Sequence, residues 1–205
     1  MNEIMRRRRA LIGHGYRFLT YIENPGTLDV YIDTGVIPTN TFGFKVKLAV
    51  RTFPTDSTKF GTRQDSGNTR CNFGLANNKG YVGWNGVSVA SNSPNLTAEV
   101  PFIIEANYKN ARQAYINGTT LNMTMGTLAT FTNHFYLLGF GYYGSVYGAG
   151  QLLYSAEITQ GNNTIMDLRP CYKIETGEAG LLDIINNKFY GNSSTGTIVK
   201  GELLQ

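Results

Sequence analysis

Phe42-Gly43-Phe44-Lys45-Val46-Lys47-Leu48-Ala49-Val50-Arg51-Thr52-Phe53 decides the fold class. Phe44, Val46, Leu48 and Val50 fall on one side, Lys45, Lys47 and Arg51 on the other. A period of two marks a strand with one face in a core and one in water. Upstream, residues 18–23 read as a strand closed by the turn Asn24-Pro25-Gly26. Residues 28–33 alternate, with Leu28, Val30 and Ile32 on one face and Asp29, Tyr31 and Asp33 on the other. Downstream, strands at 69–76 and 80–85 flank Asn77-Asn78-Lys79, a hairpin connection. Residues 100–109 form another long strand. Residues 112–116 lead through Asn117-Gly118, a strong turn signal, into 119–123. Strands at 135–140, 152–158, 165–168 and 180–185 complete the series. No helical period persists beyond residues 2–12, where Asn2 is an N-cap candidate and Gly13-His14-Gly15 ends a short helix.

Composition agrees. The 205 residues include 24 Gly, 13 Tyr and 11 Phe, with 16% charged. That mixture suits strands and turns, since helical proteins carry more Glu, Lys, Ala and Leu. Short strands with polar turns and no repeat imply one all-β domain of packed sheets. The only boundary lies near residues 13–17. It divides a basic, helical or extended N-terminal arm, 1–16, from a β-sandwich body, 17–205.

The net charge of +4 is concentrated. Arg6, Arg7, Arg8 and Arg9 face only Glu3 in the arm, so the arm holds +3 and the body +1. Such a tip suits docking on a protein partner; a solvated tail and nucleic-acid contact are the weaker readings. No run approaches ~20 apolar residues, so no membrane span is expected. No signal peptide is read, which points to synthesis in a cytoplasm with free thiols. Cys71 and Cys171 have no metal-site spacing, and whether they pair stays open.

Two passages carry a family resemblance. One is Tyr21-Ile22-Glu23-Asn24-Pro25-Gly26-Thr27-Leu28-Asp29-Val30-Tyr31-Ile32-Asp33-Thr34-Gly35. The other runs from Leu168-Arg169-Pro170-Cys171-Tyr172, through Gly177-Glu178-Ala179-Gly180-Leu181-Leu182-Asp183, to Asn187-Lys188-Phe189-Tyr190-Gly191-Asn192 and Thr195-Gly196-Thr197. They resemble the opening and closing motifs of concanavalin A-like (laminin G-like) domains found in phage structural proteins and gut-bacterial proteins. Arg112-Gln113-Ala114-Tyr115-Ile116-Asn117-Gly118 resembles the middle hairpin of that group. Leu28-Asp29-Val30 and Leu182 depart from its usual residues. The resemblance implies an antiparallel jelly-roll sandwich. It also implies a virion component, oligomeric and docked on other virion proteins through the arm. Asp33-Thr34-Gly35 reads locally as a turn, with the Asp side chain accepting backbone N–H groups and Gly35 at positive φ.

Candidate chemistry is sparse. Glucanases of this fold carry alternate acids on one strand, because retaining hydrolysis needs two carboxyls about 5 Å apart. No such triplet is present. Asp29 and Asp33 would stand ~13 Å apart along a strand. Glu99 and Glu105 are farther apart still. His134 lies in a loop without an evident nucleophile. No catalytic residue is therefore expected. Trp84, Tyr81, Asn85, Arg63 and Arg70 form a candidate glycan platform of stacking rings and hydroxyl-binding groups, the competing reading being Trp84 in the core. Tyr142, Tyr143 and Tyr147 in a Gly-rich loop, 141–150, are further contact candidates. No cofactor is expected, although the laminin G-like resemblance admits calcium, with Asp56, Asp65 and Asn68 as conceivable ligands. The resulting expectation is a non-catalytic virion attachment protein that touches host glycans. A bacterial carbohydrate-binding module or lectin is the alternative, and a glycoside hydrolase the weaker one.

Overall fold

The computed structural model describes residues 15–53, 57–64, 69–85, 92–107, 113–122, 128, 130–142 and 144–204. The arm helix, Arg6 to Arg9, Asp56, Asp65, Asn68 and Tyr143 lie outside the described residues. Those described form strands and no helix.

The alternating stretch is β4, Phe42–Ala49. Phe44, Val46 and Leu48 are buried, while Lys45 and Lys47 are exposed. It pairs antiparallel with β8, Phe102–Asn107, and with β14, Gln151–Gln160. On the far side of β8 lie β9, Gln113–Ile116, and β10, Thr119–Thr120. Beyond β14 follow β15 (Asn163–Lys173), β16 (Ala179–Asp183) and β17 (Lys188–Tyr190). β1 (Tyr16–Phe18), β2 (Ile22–Asn24) and β18 (Val199–Lys200) complete this antiparallel sheet. Lys45 stands between Glu105 and Glu157 across it, 3.6 Å from the Glu105 carboxylate, so opposite charges meet on the wet face.

The second sheet curls over the first. Its spine is β5, Ser57–Arg63, with β6 (Arg70–Ala76) and β7 (Lys79–Trp84) on one side. The other edge of β5 meets both β11 (Tyr136–Leu137) and β12 (Gly139–Tyr142) at Gly61. β12 runs parallel to β5; β3 (Ile32–Asp33) and β13 (Ser145–Gly148) close the edge. Between the sheets lies one core. Phe60 packs edge-on to Phe44 of the facing sheet at 5.3 Å and also meets Phe73 and Phe135.

Several expectations change. Residues 28–31 are turn and irregular chain; Leu28 is exposed while Val30 and Ile32 are buried. Asn24 causes this. Its Oδ1 accepts from Gly26 N and Thr27 N, and its Nδ2 donates to Thr27, Val30 and Leu138 carbonyls, so the chain wraps around the side chain. The 18–23 strand divides into β1 and β2. The 135–140 strand divides at Leu138, whose φ is 59°. The expected loop 141–150 is instead the β12–β13 hairpin, turned at Gly144. β5 has no counterpart among the expected strands. The two motif-bearing ends meet in space. Asn192 Oδ1 accepts from Tyr31 N and Ser193 Oγ from Asp33 N, while Asn192 Nδ2 donates to Asp29 O.

Candidate functional site

Register places Arg63, Arg70, Tyr81, Tyr142 and Tyr147 on the outer face of the curled sheet. Arg63 lies opposite Arg70 and in register with Tyr142. Asn85 N donates to Arg70 O at 3.1 Å, placing Asn85 at the end of this row. The Arg63 guanidinium covers the Tyr142 ring at 5.0 Å, a cation–π pair. One step along the strands, Gly83, Asn72, Gly61, Phe140 and Tyr147 form the next row. The Phe140 and Tyr147 rings are 5.8 Å apart and inclined at 34°. The third row holds Tyr81, Gly74 and Thr58.

Glycine makes this face shallow. A Cβ on Gly74 would enter the Tyr81 ring; one on Gly83 would enter the Asn72 amide and the Arg70 stem. Those side chains therefore lie flat on the sheet. Asn72 Nδ2 donates to Thr58 Oγ1 at 3.2 Å, while its Oδ1 has no partner among the described residues. The result is a face of aromatic rings, two guanidinium groups and amides, with Tyr147 exposed and Arg63, Arg70, Asn85 and Tyr142 half-buried. Flat rings stack on apolar ligand faces, and guanidinium and amide groups bond hydroxyls or carboxylates.

Two sequence candidates change role. Trp84 is 1% exposed and points into the core with Val82, so it offers no stacking platform. Alternation along β7 puts it opposite Tyr81 and Gly83, and its indole volume fills the space between sheets. Tyr81 is on the outer face but 8% exposed, because its ring is pressed onto Gly74. Phe140 and Asn72 were not expected. Their signal needs the register of β5, which the sequence pattern does not reveal.

The acids do not converge on this face. Asp33 Oδ1 accepts from Gly35 N at 2.7 Å, and Gly35 has φ 71°, as its turn reading requires. Asp33 Oδ2 sits 2.9 Å from His134 Nδ1, a pairing across 101 residues. Glu99 binds Arg51 and Glu105 binds Lys45. Cys71 and Cys171 are free, buried thiols in separate apolar clusters. Desolvation raises both pKa values, Cys171 to about 12. Among the described residues no group of His, Cys, Asp or Glu is arranged to hold a metal ion. Comparison with protein-family models and with curated proteins gives no match.

Proposed function

We propose that this chain is a non-catalytic virion attachment protein whose curled sheet contacts glycans on a host surface. One observation carries the glycan reading: Arg63, Arg70, Asn85 and Tyr142 share a row beside the Phe140–Tyr147 pair on a glycine-flattened face. The concanavalin A-like jelly-roll arrangement and the particle setting are supported by the Tyr21-to-Gly35 and Leu168-to-Thr197 motifs. Arg6 to Arg9 are the proposed dock on other virion proteins, and a short arm gains strength through avidity in an oligomer.

A glycan array with wild type and the Arg63→Ala/Tyr142→Ala double variant tests the face. Wild type should bind a defined glycan set that the folded double variant loses. Retained binding by the double variant sinks the assignment of this face. Deleting residues 1–15 should abolish incorporation into particles, and normal incorporation removes the docking role. A carbohydrate-binding module would use the same face without a particle, so the incorporation assay separates the two readings.

A further inference from the structure

A pocket of about 240 Å³ opens at the seam of the two sheets, sharing no residue with the arginine–tyrosine face. Glu23, Asn24, Arg51, Lys59, Gly150 and Gln151 are among its lining residues. Lys59 arrives there by a fault in β5. Thr58 pairs with Gly74 and Phe60 with Phe73, which leaves Lys59 as the extra residue of a β-bulge. Bulges re-aim side chains, and this one turns a lysine inward. Lys59 is 5% exposed. Its Nζ donates to Gly150 O at 3.2 Å, and none of the ion pairs among the described residues includes it. An ammonium has three donors, and buried charge is costly when uncompensated. Burial pulls the Lys59 pKa below its ordinary 10.5.

Beside it stands the opposite deficit. Gln151 is 2% exposed, and its Nε2 donates at 2.5 Å to the Lys59 carbonyl on the bulge. Its Oε1 is buried and has no partner among the described residues. Buried amide oxygens are ordinarily satisfied. Glu23 adds no free charge, since Arg51 clamps both of its oxygens at 2.6 and 2.8 Å. The surplus positive charge of the lining is that of Lys59.

We propose that this pocket binds a small carboxylate with a neighbouring hydroxyl, the carboxylate on Lys59 Nζ and the hydroxyl donating to Gln151 Oε1. The pocket is smaller than the ~300–1,000 Å³ typical of drug-sized sites, so its occupant is a fragment. A sugar acid at the end of a glycan and a free hydroxy acid share this chemistry. The site stands independently of the glycan reading of the sheet face.

NMR titration of the full chain with D-glucuronate and with glycolate tests it, with D-glucose as the control lacking a carboxylate and acetate as the control lacking a hydroxyl. At least one acid should shift the Gly26, Gly150 and Gln151 amides saturably, with a dissociation constant on the order of 1–10 mM. Glucose and acetate should bind about tenfold more weakly or worse. Binding by both acids assigns the site to free hydroxy acids as well; binding by glucuronate alone assigns it to sugar acids. Lys59→Met should weaken binding about tenfold. Thr52→Trp, at an exposed lining position, should block entry even if the lysine variant fails to fold. No saturable shift with either acid overturns the proposal. Equal binding by glucose or acetate, or wild-type affinity in Thr52→Trp, overturns it too.

Discussion

Asp183 is a fully buried carboxylate surrounded by donors. Its Oδ1 accepts from Asp167 N at 3.2 Å, Ile185 N at 3.0 Å and Asn186 N at 3.4 Å, and its Oδ2 accepts from Asn186 Nδ2 at 2.5 Å. Asp183→Ala strands the buried Asp167 N–H and removes the three part-buried bonds that hold the turn at Ile185 and Asn186. It should cost about 3 kcal/mol or more, read as a fall in urea midpoint at unchanged slope. The thiols give a pH signature. Cys171 stays protonated in the folded chain to about 12, against an ordinary 9.0. Between those values the unfolded chain loses a proton that the folded chain keeps, so this thiol's contribution to stability falls as pH rises. Urea melts at pH 8 and pH 11 should show wild type losing more stability than Cys171→Ala. Equal losses would remove the buried thiol as the cause. At this scale the sequence was legible where partners are local. Asp33 with Gly35 and Asn24 with Gly26 act within two residues. His134 and Lys59 were opaque, because their partners lie 101 and 91 residues away.

Elements were legible where one face is wet. β4 alternates because Lys45 and Lys47 face solvent, and Asn117-Gly118 turns β9 into β10 with φ values of 49° and 79°. β5 hides itself. It is Ser-Thr-Lys-Phe-Gly-Thr-Arg, with one large apolar residue, a bulge at Lys59 and Gly61 at φ 110°. The glycan candidates depended on that strand, so Arg63 was named without its neighbours Phe140 and Asn72. The two glycines predict different costs for one substitution. Around Gly118 nothing lies within 4 Å of an added Cβ, so Gly118→Ala meets only the left-handed backbone and should cost about 1 kcal/mol. At Gly61 a Cβ would press on the backbone of Cys71 and Asn72, where β11 and β12 both join β5. Gly61→Ala should therefore cost about 3 kcal/mol or more. Similar denaturation midpoints for the two variants would contradict the role of Gly61 as the junction.

The whole molecule rests on the contact between its sheets. Strand periodicity implies two layers, yet it does not specify the parallel β5–β12 pair or the central place of β14. Those depend on pairings across most of the chain. Phe60 is the test of how the layers hold together, since its ring touches Phe44 of one sheet and Phe73 of the other. Phe60→Ala removes a fully buried ring and should cost about 3–5 kcal/mol. Trp84, the only tryptophan, is buried in the curled sheet and reports that layer by fluorescence. Far-UV circular dichroism reports both layers. In urea the two signals should move together in wild type, and again together at a lower midpoint in Phe60→Ala. If fluorescence fell first while dichroism held, the curled sheet would be a separable layer. The flat arginine–tyrosine face would then have lost the rigid support that binding requires of it.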